Sequence, residues 1–447
     1  MTRAGLLEVI GLARRLKDTR EVFAELVRRH GDVVRIRVGP SVFFILAHPD
    51  DVREVLQTHA DRFERMSGEL RVSRRISGAA VSATEGVPHA RERSVLEPVL
   101  YGPAAEASAA AVVELAVRWR DGLVRDRALD VWAAMERFCT ELIVRMLTGL
   151  DPGEGLGHSI VGALTRTVAS LDALPGGPTA LSDRLPPLRR RFERERAALD
   201  ALLAETIADH RREGGHDLLS MLMDARDAQG RAPTDLELRN HLVALYRGHT
   251  ATSTALALAW WQLGLEADAE AAVFAEVDGL GDRLPTHGDL PILAHTGRTF
   301  QEALRLYPPA WVLARKAVVE HTAHGQEIPR GAKVFVSAWL IHRDPRFWEE
   351  PLAFRPERFL ADQVRGRHPY AYFPQGGGNN LCMGDRLVVP MEAPLILATV
   401  AQRWRLRAIP DRHPDLAPRA TLKPRHGVWL VPEPRSRSPR PTGTGGE

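Results

Sequence analysis

Tyr372-Phe373-Pro374-Gln375-Gly376-Gly377-Gly378-Asn379-Asn380-Leu381-Cys382-Met383-Gly384 is the stretch on which the reading of this chain turns. It is a glycine-rich approach to a single thiol, just ahead of an expected helix. Such a loop leaves backbone N–H groups open to the sulfur, and a helix N-terminus adds positive potential, so both favour thiolate over thiol. A thiolate so placed could ligate iron. The competing reading is a buried free cysteine after a turn, and the rest of the sequence bears on the choice.

Cys382 and Cys139 are the only cysteines among 447 residues, so a disulfide framework is excluded and a reducing cytoplasm is expected. Cys139 lies among Phe138, Leu142, Ile143 and Met146, the setting of a core thiol. At 44% hydrophobic and 26% charged residues the chain can bury a large core. Sixty basic against 57 acidic residues leave +3, interspersed along the chain, which argues against a nucleic-acid partner. The apolar run at residues 6–13 is short and broken by Glu8, neither signal peptide nor anchor. Residues 248–265 lack Asp, Glu, Lys and Arg but carry hydroxyls, His249 and Gln262, which predicts a buried central helix rather than a membrane span.

Around these landmarks the pattern is mainly α with small β-sheets. A helix is predicted at 20–30, strands at 33–38 and 42–47, and a helix at 49–59. Helical periodicity dominates 88–302, notably 112–123, 131–147, 188–212 and 236–261. Prolines and glycines at 174–187 predict a loop. Short strands are expected at 311–319 and 333–339, then a meander at 344–381 and a last helix after Cys382, disturbed by Pro390 and Pro394. One domain over 1–431 and a disordered tail over 432–447 are expected.

Three more motifs accompany the cysteine loop. Glu302 and Arg305 stand three apart on one helical face before Leu306-Tyr307-Pro308-Pro309. Phe354-Arg355-Pro356-Glu357-Arg358-Phe359 follows, and Gly86-Val87-Pro88-His89-Ala90-Arg91-Glu92-Arg93 precedes. With these in this order, the chain resembles the heme-thiolate cytochrome P450 family over nearly its whole length. The resemblance implies a triangular fold with heme b (iron protoporphyrin IX) between a central distal helix and the proximal cysteine loop. It makes Cys382 the iron ligand, Glu302, Arg305 and Arg358 a structural triad, and His89, Arg93 and Arg315 partners of the heme propionates. Gln375, Gly376, Asn380 and Gly384 become cofactor-binding loop positions, with Gln375 and Asn380 standing where the family usually has Phe and a propionate-binding Arg or His. Residues 422–427 look like the family's last hairpin.

The central helix departs from the family. An acid and an alcohol usually organise protons there for O–O cleavage, whereas Arg247-Gly248-His249-Thr250-Ala251-Thr252 places Thr250 and Ala251 at those positions. Arg247 replaces a small residue near the distal face. A charge in an apolar helix is costly unless paired, so it either binds a substrate carboxylate, a water or a peroxide over the iron, or points away to another helix. Proton delivery would fall to the substrate, ordered water, Thr250, Thr252 or Arg247.

The expected function is therefore oxidation of a small or medium organic molecule, in bacterial secondary metabolism by family analogy. The expected partners are a ferredoxin or flavodoxin with its reductase, and the chain is expected to be a monomer without membrane or nucleic-acid contacts. Two alternatives stand beside it. One is peroxide-driven oxidation or a redox-neutral rearrangement or dehydration, since the Pro374–Gly378 wording is similar to a peroxide-using branch of the family. The other is a heme protein that binds a ligand without turnover.

Overall fold

Thr234 accepts the Glu237 amide while Glu237 accepts the Thr234 amide, a reciprocal cap that starts a 29-residue helix, Asp235–Leu263. At about 1.5 Å per residue it runs roughly 43 Å, and it is buried on nearly every side beyond Leu238. This is the central helix predicted from residues 236–261. The computed structural model describes residues 3–101, 103–172 and 186–435.

Helices Val131–Thr148, Pro186–Glu213 and Ala294–Leu306 pack against the central helix, and Pro103–Asp121 and Ala393–Ala401 complete this helical mass. Asp130 caps Val131–Thr148 by accepting the Trp132 and Ala133 amides. To one side stands a six-stranded mixed sheet in the order Arg3–Ala4, Val33–Val38, Ser41–Leu46, Lys333–Val336, Leu313–Ala317, Phe63–Arg65. The predicted hairpin is in register from Val33 against Leu46 to Val38 against Ser41. The hairpin Leu416–Pro418 with Leu422–Pro424 forms where the last hairpin was expected.

Two apolar clusters meet at the cysteine loop. Phe373, ahead of Cys382, packs in the sheet cluster with Phe44, Val334 and Val336, whereas Leu387 and Met391, beyond it, belong to the helical core. Cys139 lies in that helical core, as expected.

Four expectations change. The predicted loop at 174–187 falls outside the described residues up to 185, and Pro186 and Pro187 open a helix instead, because a first-turn proline loses no hydrogen bond. The strand expected at 333–339 stops at Val336, where Ser337 accepts the Leu340 amide and caps the short helix Ala338–Ile341. No α-helix begins at Cys382: turns lead to a π-helical segment, Val388–Glu392, before Ala393–Ala401 becomes α-helical. Pro390 and Pro394 offer no amide to an α-helical ladder there. The expected tail boundary at Pro432 also moves, since Trp429–Pro434 is a strand paired in register with Trp404–Ala408.

Candidate heme-thiolate site

The cysteine loop has its shape because two backbone positions admit only glycine. Gly376 and Gly378 have φ of +81° and +60°, and a Cβ on Gly378 would lie 1.8 Å from the Leu56 carbonyl oxygen. So turned, the loop closes with the Cys382 amide donating to the Gln375 carbonyl at 3.0 Å. The Gly384 amide points at Cys382 Sγ at 3.4 Å. The thiol is open on one side and crowded by protein on the others. Burial pushes its pKa up, and the Gly384 amide only partly opposes this. The thiolate expected from amides and a helix terminus is therefore not secured by the protein: one amide reaches the sulfur and no α-helix starts there. A bound cation would secure it.

The loop is anchored from behind by a chain of buried polar groups. Arg305, fully buried, donates from Nε and Nη2 to the two carboxylate oxygens of Glu302 at 2.7 Å each. Its other N–H groups go to the carbonyls of His342, Pro351 and Ala353 at 2.7, 2.6 and 3.0 Å. Arg358 Nε lies 3.3 Å from Glu302, and the Arg355 amide donates to the same carboxylate. The three triad residues thus come together. His342, a residue the sequence reading passed over, extends the chain: Nδ1–H donates to the Arg305 carbonyl at 3.0 Å, and Nε2 accepts the Phe373 amide at 3.0 Å. Burial holds its pKa well below the ordinary value, with the Arg305 guanidinium acting the same way. The neutral imidazole ties the triad to the start of the cysteine loop, and Tyr372 stacks on it.

Cations and an unpaired acceptor surround the same region. Arg315 and Arg65 stand opposite each other on paired strands. Arg65 is engaged with Glu85 and the carbonyls of Val81, Ser82 and Thr84. Arg315, buried, donates to the neighbouring Ala314 carbonyl, and burial pulls its pKa down. Arg93 donates to the Leu381 carbonyl at 2.7 Å and to Glu97. His89 places its ring nitrogens against the carbonyls of Val81 and Asn379. Helix Gly86–Tyr101 therefore braces the cysteine loop on both sides of Asn380, whose buried Oδ1 has no hydrogen-bond partner among the described residues.

On the central helix Gly248 is exposed, unlike its neighbours His249 and Thr252, and a Cβ there would meet nothing within 4 Å. The half-buried Arg247 lies next to it, with Nη1 3.4 Å from Ser73 Oγ on helix Ser67–Ser77. Its side chain thus reaches a neighbouring helix, as one of the two readings had it. Thr250 Oγ1 donates to the Arg247 carbonyl and Ser253 Oγ to the Thr250 carbonyl, at 2.9 and 2.8 Å. Ala251 is half-buried and Thr252 buried. His249 turns toward the segment after Cys382, with Nε2 3.2 Å from Glu392 Oε1. Burial opposes its charge, but the Glu392 carboxylate outweighs burial and raises its pKa. An open thiol, an underused buried arginine and a bare glycine on a buried helix fit a heme with its two carboxylates.

A profile of the family described as cytochrome P450 matches residues 6–431. Cyclooctat-9-en-7-ol 5-monooxygenase of Streptomyces melanosporofaciens is 33% identical over 427 residues, which cover 92% of this chain and 90% of that one. Cyclooctatin synthase of the same organism is 32% identical over 91% of this chain and 89% of its own. Pentalenene oxygenase of Streptomyces avermitilis is 29% identical over 92% of each. The heme domain of cytochrome P450DA superposes with a TM-score of 0.85 over 95% of both chains at 23% identity, which shows a shared fold. Among the described residues no helix is long and apolar enough to cross a membrane.

Proposed function

The chain belongs to the cytochrome P450 family and is a P450-type monooxygenase, and from that premise we propose that its substrate is a cyclic hydrocarbon skeleton already bearing an oxygen function, in bacterial secondary metabolism. Two considerations support this. The similar chains include a monooxygenase named for an alcohol, cyclooctat-9-en-7-ol. Arg247 precedes the bare Gly248 and holds its guanidinium toward Ser73 on helix Ser67–Ser77; in this reading it turns to donate to a hydroxyl, carbonyl or carboxylate when substrate binds. The relative named for an alcohol carries the reading.

When bound, heme b supplies dioxygen activation: one oxygen atom enters the substrate and the other leaves as water, with two electrons and two protons taken up. Cys382 would hold its iron, and Arg315, with Arg93 and His89, would meet its propionates. Gln375, Gly376, Asn380 and Gly384 would line its proximal side, and Gly248 leaves room for it on the distal side. Thr250, Ala251 and Thr252 face the proton-delivery task without a carboxylate among them. Electrons would come from a ferredoxin or flavodoxin with its reductase. The Thr250-Ala251 pair favours a second reading, in which hydrogen peroxide replaces dioxygen and the electron partner.

Optical titration with cyclic hydrocarbons and their alcohols tests the substrate reading. A charge-assisted hydrogen bond contributes about 1.5–3 kcal/mol, so Arg247→Leu should weaken alcohol binding about 10- to 150-fold and leave the parent hydrocarbon unchanged. Equal loss for both would refute an oxygen anchor. Turnover with a reductase pair against turnover with peroxide alone separates the two oxidant readings.

A further inference from the structure

A cavity of about 900 Å³ lies among the central helix, Val131–Thr148, helix Gly155–Asp172 and the Leu422–Pro424 hairpin. Tyr246, His249 and Thr250 line it from the central helix, Glu136 and Thr140 from the facing one. Residues 136 and 140 are four apart on their helix, as are 246 and 250 on theirs, so each pair shares a face. The two faces meet, with Thr140 Oγ1 3.4 Å from the Tyr246 hydroxyl. Thr140 gives its proton to the Glu136 carbonyl and Thr250 gives its own to the Arg247 carbonyl. The Thr140 oxygen therefore accepts the Tyr246 hydroxyl, and the Thr250 oxygen keeps acceptor capacity. The volume is far above that of one water, and the walls offer several polar partners.

The central helix carries no Asp or Glu from 238 to 263. Glu392 approaches it but is fully buried and engaged with His249. Glu141, also in the cavity wall, stands one residue past Thr140, off the face that residues 136 and 140 share. Glu136 is half-buried, on the same cavity as Thr250.

We propose that this cavity is the proton entry of the enzyme and that Glu136, from the neighbouring helix, does the work of the carboxylate that the central helix lacks. Glu136 takes a proton from solvent and passes it through cavity water to Thr250, then is reprotonated from solvent. This inference rests on the reductase-driven reading above. There each turnover consumes dioxygen, two electrons from the partner protein and two protons, and yields hydroxylated substrate and water. Oxidation by hydrogen peroxide yields the same products with no net proton uptake, so it serves as the internal control.

Glu136→Gln should lower product formed per electron about tenfold, release the difference as peroxide and enlarge the solvent isotope effect. Glu136→Asp should recover most of the coupling. Peroxide-driven turnover, heme content and the substrate-binding optical shift should not move, although a merely structural role would move all three. Unchanged coupling and isotope effect would overturn the proposal. A measurement that needs no turnover keeps it testable if no reductase pair supports the enzyme, a failure that would count against the reductase-driven reading. In the folded holoenzyme Glu136→Cys should be labelled by 2-carboxyethyl methanethiosulfonate, read by mass, and where reductase turnover is present the restored carboxylate should recover coupling. Absence of labelling would show that solvent does not reach the position, and the proposal would fall.

Discussion

Replacing Arg305 with alanine removes a group whose five N–H donors all have acceptors: two on Glu302 and one each on His342, Pro351 and Ala353. Both charged side chains are fully buried. Breaking such a pair from one side costs about 3–5 kcal/mol, because the remaining carboxylate is left without its countercharge. Three carbonyls lose a donor as well, at about 1 kcal/mol each before relaxation. Arg358, 3.3 Å from Glu302, recovers part of the loss, so about 4–6 kcal/mol is expected, a large share of the roughly 5–15 kcal/mol that stabilises a domain. Arg305→Lys, with three donors and no planar fork, should lie between wild type and alanine. Urea unfolding by circular dichroism, alongside heme content, measures this, and Glu302→Gln with Arg305→Met closes a double-mutant cycle. A loss below about 1 kcal/mol for Arg305→Ala, the level of a surface pair, would refute the argument that this network holds the cysteine loop in place.

Cys382→Ser should abolish the thiolate signature of the reduced carbon-monoxide complex and most turnover, since a neutral hydroxyl cannot replace an anionic sulfur donor; an unchanged spectrum would remove the ligand assignment. The His249–Glu392 pair predicts a pH effect. Because the folded pKa of His249 is raised above 6.5, its contribution to stability is fully present below that value and is lost as pH rises through the folded pKa. Glu392→Gln should flatten this part of the stability profile, and thermal unfolding between acid and mildly alkaline pH decides it, with an unaltered slope telling against the pair. Thr250→Glu combined with Ala251→Thr, which restores the family's acid and alcohol, should lower native product per electron consumed by displacing the local arrangement around Thr250 and Arg247. Improved coupling would show instead that the chain relies on an ordinary relay.

Cys382 was readable from its own loop because glycine and cysteine carry strong local constraints: two glycines there have left-handed backbone and one abuts a carbonyl. Glu302 and Arg305 were readable because three residues on a helix already make them neighbours. Long helices and the hairpin at 33–46 followed from periodicities of 3.6 and 2. Pro390 and Pro394 marked a disturbance after Cys382, though not that it would take the form of a π-helical segment. His342 left no such mark, since its partners, the Arg305 carbonyl and the Phe373 amide, lie 37 and 31 residues away. Burial around Cys382 left no mark for a related reason: a loop shows its amides, while desolvation depends on everything packed around it. Glu136 and Thr250, more than a hundred residues apart in the chain, share a cavity wall only because their two helices are pressed together. Amino-acid sequence alone determines what a residue can do to neighbours within a turn or two. Burial, tautomer, ionisation and the facing of two helices depend on side chains brought in from far along the chain, and only the tertiary structure decides them.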